Sequence, residues 1–452
     1  MSEQKTLSDW LAYLERLHPK TIELGLARVE EVRHRMGLDP DFPVITIGGT
    51  NGKGSVCALL ESMLHAAGYR VGCYTSPHLL EYNERVRIAG KMASDAELCA
   101  AFEKVEQARG DISLTYFEFG TLAAMHCFSE QKVEVAILEV GLGGRLDAVN
   151  IFDADCAAVV SVDVDHTEYL GDTREAIAHE KAGIFRKDKV ALFGDLDMPH
   201  AIADEAHRIG AELWRLGAQF DFVAGTQQWQ YHSVVCERHA LPYPALRGEY
   251  QLNNASTALA VLDVLRDSLP VSMDAVRRGL LEVELPGRFQ VMPGRPQLIL
   301  DVAHNPRAAQ ELARNLAALP PACTIAVFAM LKDKDIAGVV RALRDSIDIW
   351  LVAGIDVPRG ATAEQLAGVL RSEGVRGEVR SFSNPVQAWQ YACNETGENS
   401  GCDALLRSSS LREQPPDTLS RTRRLRAPCQ ECRIAAFGSF YTVADVMRSR
   451  GD

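Results

Sequence analysis

A chain of 452 residues, 47% of them hydrophobic and 24% charged, is too long for one ordinary core and has the balance of a globular protein of two or three domains. Its formal net charge of −13 argues against a broad face that neutralises nucleic-acid phosphates, so an anionic ligand would be held by locally placed Lys, Arg and helix ends. No apolar run reaches about 18 residues, so nothing is expected to span a membrane. Met1 to Asp9 is polar and carries two acids, unlike a secretory signal, and a cytoplasmic protein is the simplest expectation. Eleven cysteines, mostly single in apolar segments, suit reduced thiols better than a disulfide framework. Cys429 and Cys432 form a C-x-x-C with no matching second pair, a weak zinc or redox signal.

Leu7 to Leu17 and Leu24 to Met36 read as amphipathic helices with a loop over His18 to Leu26 between them. The β-branched strand Val44 to Ile47 then runs into Gly48-Gly49-Thr50-Asn51-Gly52-Lys53-Gly54-Ser55 and an apolar-periodic helix over Val56 to Ala67. Backbone N–H groups, a helix N-terminus and one ammonium can all face a single anion there, which makes a phosphate cradle. Only three residues separate Gly48 from Gly52, and Gly54 precedes Ser55, so the spacing departs from the common P-loop.

Further along come a strand over Arg70 to Tyr74 ending at Thr75-Ser76-Pro77-His78, and helices over Asp95 to Ala108 and Phe117 to Glu130. The strand Val133 to Val140 ends in Gly141-Leu142-Gly143-Gly144-Arg145-Leu146-Asp147, and the strand Cys156 to Ser161 ends at Asp163-Val164-Asp165-His166. Each cluster of chemistry-bearing residues follows a strand, and in parallel sheets ligands bind beyond the carboxyl ends. Thr173 to Phe185 reads as helix, Val190 to Phe193 as strand, Gln219 to Glu237 as a small antiparallel patch, and Tyr250 to Leu265 as a helix opening on Asn253-Asn254.

Breakers cluster at Leu285 to Gln290 and Pro293 to Pro296, and a new strand and helix alternation begins at Leu298. The expected architecture is α/β: a large P-loop-containing N-terminal domain, 1–290, with a central mostly parallel sheet, and a smaller doubly wound α/β domain, 291–452. Residues 396–431 are basic and rich in Ser and Pro, a composition of a flexible insertion. A nucleic-acid-binding arm is the sharper alternative for that stretch, against the plainer one of a solvated charged run, which is what such runs usually are.

The cradle together with Thr75 to His78, Thr115-Tyr116-Phe117-Glu118, Glu139 to Asp147, Asp165-His166-Thr167, Glu180-Lys181-Ala182-Gly183-Ile184, Pro286 to Phe289 and Asp301-Val302-Ala303-His304-Asn305-Pro306 resembles the bacterial bifunctional dihydrofolate synthase/folylpolyglutamate synthase family of the Mur ligase superfamily. The resemblance covers nearly the whole chain outside 396–431. It implies a ligase that uses ATP to join L-glutamate to dihydropteroate or to folates, through an acyl phosphate. It implies ATP contacts from Thr50, Asn51, Gly52, Lys53, Asn254, Arg288 and Asp301, the last two flanking the domain boundary, with closure over the nucleotide. Magnesium, at two sites, would be held by Ser76, Glu139 and His166, and a monovalent cation is a further expectation. Catalytic roles fall to Lys53, to Lys181, carbamylated by CO2 in the family, and to His304. The pterin would meet Ile22, Glu23, Leu24, Thr115, Tyr116, Phe117, Glu118, Leu146, Asp147 and Ala148, with Phe117 offering a flat face and Asp147 accepting hydrogen bonds. The resemblance implies a monomer with no nucleic-acid or membrane partner.

Taken singly, each residue has a plainer reading. Ser76 could cap a turn, Glu139 sit in a structural ion pair and His166 be an ordinary loop histidine. Lys181 could be an ammonium paired with Glu180 or a phosphate, Asp301 a cap for the helix after Pro306, and Phe117 helix core. A cell-wall ligase would share the mechanism but place a separate UDP-binding unit before the P-loop, where about 40 residues stand here. A nucleotide-switched binding protein would lack the Lys181 motif and the second α/β domain. The Gly141 to Gly144 run lacks the spacing of a dinucleotide fingerprint.

Overall fold

The computed structural model describes residues 5–20, 22–396 and 432–451. The Ser- and Pro-rich stretch expected at 396–431, apart from Thr396, and Cys429 of the C-x-x-C lie outside them. Two compact units separate, 1–245 with 249–285, and 246–248 with 286–452, so Pro286 to Phe289 falls with the second.

An eight-stranded sheet organises the first unit, in the order Lys91–Met92, Val86–Ile88, Val71–Tyr74, Val135–Glu139, Val44–Gly48, Cys156–Val159, Val190–Phe193, Glu212–Arg215. From Val71–Tyr74 onward every pairing is parallel, and the first two strands form an antiparallel edge. The central strands Val44–Gly48 and Val135–Glu139 are buried at every position, as expected of strands covered on both faces, which read as continuous apolar runs. The four adjacent strands Val71–Tyr74, Val135–Glu139, Val44–Gly48 and Cys156–Val159 carry Ser76, Glu139, the cradle and His166 beyond or at their carboxyl ends. Their register, with Tyr74 beside Leu138, Ile47 beside Glu139 and Gly48 beside Val159, brings those ends level.

Several boundaries differ from the sequence reading for local reasons. The second helix is Ala27–Met36 rather than Leu24–Met36, with Gly25 at φ 149° holding the preceding chain out of helical geometry. The cradle helix starts at Lys53, not Val56. The helix Gln251–Val264 begins before Asn253, so Asn254 is buried one turn inside it instead of opening it. The antiparallel patch has three strands, Phe220–Ala224, Gln228–Ser233 and Glu237–Pro242.

The second unit is a six-stranded sheet in the order Gln290–Met292, Gln297–Asp301, Cys432–Phe437, Cys323–Phe328, Ile349–Ala353, Glu378–Phe382, parallel except for its first pair. Phe328, Trp350 and Phe437 centre its core. No helix among the described residues is long and apolar enough to cross a membrane.

The cradle helix Lys53–Ala66 is seated against the helix Met273–Glu282 through Gly279, where a Cβ would lie 2.5 Å from the Cα of Met63. The Ser62 hydroxyl donates to the Gly279 carbonyl at 2.9 Å. Gly279→Ala is expected to cost about 1–3 kcal/mol of stability by overpacking, read as a lower midpoint in urea denaturation.

Candidate active site

The cradle depends on two glycines. Gly49, at φ 141°, passes so close to the loop after Cys156–Val159 that a Cβ would meet the amide nitrogens of Val160 and Ser161 at 3.1 Å. Gly52 has φ 91°, and a Cβ there would lie 2.6 Å from Asn254 Oδ1, so no other residue fits between helix and cradle. Asn254 is held in turn by Gln251, whose Oε1 accepts from Asn254 Nδ2 at 2.8 Å. With glycine as N-cap, the Lys53–Ala66 helix carries no side-chain cap. Its first-turn amides therefore face outward at the positive end of the helix.

Two of the cradle amides have partners within the protein. The Thr50 amide donates to the Ser161 carbonyl at 2.8 Å and the Asn51 amide to Ser161 Oγ at 3.1 Å. These two N–H groups fasten the loop to its neighbour. Ser161 had no motif to mark it beyond being the first polar residue after an apolar strand.

Two amines converge on one oxygen. Lys53 Nζ donates to the Gly49 carbonyl at 3.0 Å and lies 3.4 Å from that of Thr50. Lys181, on the helix Arg174–Ala182, is buried and donates to the same Gly49 carbonyl at 3.0 Å. Burial, reinforced by the Lys53 charge and opposed by Asp165 and Asp147, brings the Lys181 amine down to about 7. A large fraction of it is then the neutral nucleophile near pH 7, where an ordinary lysine offers about one part in a thousand. The plainer alternative of a Glu180 partner fails, because the Glu180 carboxylate faces Arg145 at 3.6 Å.

At the next strand ends, Glu139 Oε2 accepts the Ser76 amide at 3.0 Å, which joins two of the three expected metal-site residues. His166 stands at φ 52° beside Asp165, 3.9 Å from its carboxylate, and is more than a third exposed. Among the described residues no group of three or more His, Cys, Asp or Glu is drawn together as a ready metal cluster. The donor set still fits magnesium, which takes one or two protein carboxylates and keeps several waters.

The expected pterin residues divide. Phe117 is only partly buried, its ring 5.7 Å from that of Tyr74 and against Gly141, where a Cβ would lie 2.8 Å from it; it is packed on the core rather than sealed in it. Tyr116 is partly buried under the Arg85 guanidinium. Thr115 and Glu118 form a capping box on the helix Tyr116–Glu130, and Glu118 also binds Arg28 at 3.0 Å. Glu23 pairs with His18 and Arg28, between the partly buried Ile22 and Leu24. Asp147 is buried, accepts from the Leu142 and Val149 amides, and is raised by burial to about 6. Leu146 beside it is exposed, and Ala148 is buried.

In the second unit, Asp301 ends the strand Gln297–Asp301, buried, and accepts the Phe289 and Ala303 amides at 2.8 and 2.7 Å. Burial raises its carboxyl to about 6, with Arg288 acting in the opposite direction. It does not cap the following helix; Asn305 does, through the Ala308 amide. Arg288 lies over the Phe440 ring at 5.1 Å, and the His304 ring is 6.3 Å from it. Phe440 was not singled out by sequence, although it opens the last helix straight after Gly438-Ser439.

A glycine-hinged anion site followed by carboxylate and histidine at adjacent strand ends, with a second α/β unit, defines a Mur-type ATP-dependent ligase. The Mur ligase middle domain matches residues 47–262, and the Mur ligase glutamate ligase domain matches 287–411. The dihydrofolate synthase/folylpolyglutamate synthase of Escherichia coli K12 is 48% identical over 388 residues, 85% of this chain and 89% of the relative. A solved structure of E. coli FolC in complex with DHPP and ADP superposes with TM-score 0.87 at 44% identity, covering 99% of this chain and 98% of that one. Another, a bifunctional folylpolyglutamate synthase/dihydrofolate synthase with Mn, AMPPNP and L-glutamate bound, gives 0.84 at 44% identity, over 99% and 98%. The chain belongs to the dihydrofolate synthase/folylpolyglutamate synthase family.

Lys181 also sets a pH signature. Its amine holds a proton below about 7 when folded but up to about 10.4 when unfolded, so its burial penalty is full in acid and shrinks as pH rises between those values. In CO2-free buffer, Lys181→Met is therefore expected to raise the melting temperature more at pH 6 than at pH 9, by calorimetry.

Proposed function

We propose that this chain joins L-glutamate to dihydropteroate, forming dihydrofolate, and to reduced folates, forming polyglutamates. The observation that carries the reading is the Lys53 ammonium at an uncapped helix N-terminus, positive charge suited to a polyphosphate, with the buried Lys181 amine on the same Gly49 carbonyl. The solved relatives with DHPP and ADP, and with Mn, AMPPNP and L-glutamate, support the substrate set.

In the first step a substrate carboxylate oxygen bonds to the γ-phosphorus as the bond to the bridging oxygen breaks and ADP leaves. In the second, the glutamate amine adds to the acyl carbon, phosphate departs with the bonding pair, and the amine loses a proton. Phosphoryl transfer asks chiefly for positioning and charge neutralisation. Lys53 and the amides after it hold the β- and γ-phosphates, with Thr50 and Asn51 bracing the loop and Gly52 and Asn254 setting its distance from the helix. Glu139, Ser76 and His166 would hold magnesium, at up to two sites, and the bound ion supplies charge neutralisation for the group in transfer. Arg288 and Asp301 contact the nucleotide, and His304 acts near the transferred phosphate. Neutral Lys181 adds to CO2 through its lone pair and releases a proton, becoming a carbamate anion. Phe117, Tyr116, Leu146 and the Ile22 to Leu24 loop line the pterin site, while Thr115, Glu118, Asp147 and Ala148 hold its walls in place. A monovalent cation, a cytoplasmic location and a monomeric state, with neither nucleic acid nor membrane as partner, complete the reading.

ADP release should require dihydropteroate or a reduced folate together with glutamate and magnesium. ADP formed at full rate without either acceptor would contradict the reading and favour a nucleotide switch. Lys53→Ala is expected to lower kcat on the order of a hundredfold or more with the fold intact by circular dichroism.

A further inference from the structure

Between the loop that carries Leu146 to Ala148 and the helix that carries Lys181 there is a direct main-chain splice. The Arg145 amide donates to the Glu180 carbonyl at 2.9 Å, and Asn150 Nδ2 bridges the Arg145 and Gly183 carbonyls at 3.0 and 3.1 Å. The contact is too close for any side chain. A Cβ on Gly144 would lie 2.8 Å from the Lys181 carbonyl oxygen, and one on Gly183 would overlap the Arg145 backbone.

The Arg145 guanidinium then crosses the end of the same helix. It donates to the His179 carbonyl at 3.0 Å and reaches Glu205 Oε1 at 2.7 Å, on the neighbouring helix His200–Ile209. Glu205 is 3% exposed, an unusual place for a carboxylate unless it is paired. Its other partners are Arg208, on the same helix and largely exposed, and His179, whose Nδ1 is 3.8 Å from Oε2. Arg145 therefore ties Glu205 to the loop side of the splice, as His179 approaches it from the Lys181 helix. No sequence motif marks Glu205, which is 60 positions from Arg145.

We propose that the Arg145 and Glu205 pair is a positioning clamp that holds the pterin-facing loop and the Lys181 amine in one register, so that dihydropteroate affinity and Lys181 carbamylation are set together. This rests on the reading of Lys181 and of Leu146 to Ala148 given above. Neither clamp residue touches the reacting atoms in that reading; both act through the loop and the helix end.

The test uses the full-length protein with Glu205→Gln, Arg145→Lys and, as a control, Arg208→Ala. Two quantities are read: the KM values for dihydropteroate and for ATP, and the carbon-13 carbamate signal from labelled bicarbonate. Glu205→Gln and Arg145→Lys should each raise the dihydropteroate KM about tenfold, the cost of a lost charged hydrogen bond, with the ATP KM unchanged and the carbamate signal weakened at fixed bicarbonate. Arg208→Ala should change neither. A Glu205→Gln protein that melts earlier but keeps its dihydropteroate KM and carbamate signal would overturn the clamp alone. No carbamate signal in active wild-type enzyme would overturn the reading of Lys181, and the proposal with it.

Discussion

Two lysine amines donate to one backbone oxygen, that of Gly49, and much of the first unit serves that crowding. Burial makes an ammonium costly and a like charge beside it adds to that cost, so the more buried amine gives up its proton more readily. Lys181 is that one, at about 7. The charge that stays on Lys53 is then what an arriving polyphosphate meets. Gly49 itself can hold the position only because it has no side chain to meet Val160 and Ser161.

Strand order does the gathering. Four neighbouring parallel strands end in Ser76, Glu139, the cradle and the Ser161 to His166 loop, so residues more than a hundred positions apart arrive at one rim with no long-range search beyond strand pairing. The second unit repeats the device with Asp301, whose oxygens are fixed by the Phe289 and Ala303 amides. Asp147 in the first unit is likewise held by backbone N–H groups, and in both aspartates this keeps the carboxylate oriented while burial raises it to about 6.

The central strands and most of the helices could be read from apolar runs and periodicity, and the rim residues from their position after each strand; the short strands at the sheet edges, Val86–Ile88, Lys91–Met92, Glu212–Arg215, Gln290–Met292 and Glu378–Phe382, could not. What could not be read was how polar atoms are shared. The Thr50 and Asn51 amides look available for phosphate in sequence, yet Ser161, more than a hundred residues on, takes both. Thr115 and Glu118 did carry a legible signal, since Thr-x-x-Glu before an apolar run is a capping box. Asn305 ahead of Pro306 is likewise an N-cap with proline in the first turn, and it displaces Asp301 from that role. Glu205 offers no such pattern. Its partner is set by helix packing, and only the fold reveals it.

The most direct measurement is a crystal structure of this protein with magnesium and a non-hydrolysable ATP analogue. The expected result has Lys53 Nζ released from the Gly49 carbonyl onto the β- and γ-phosphates, the Lys53 to Ser55 amides turned to the same oxygens, and the Thr50 and Asn51 amides still on Ser161. A nucleotide bound elsewhere, or Lys53 still on Gly49 with the phosphates out of its reach, would contradict the account.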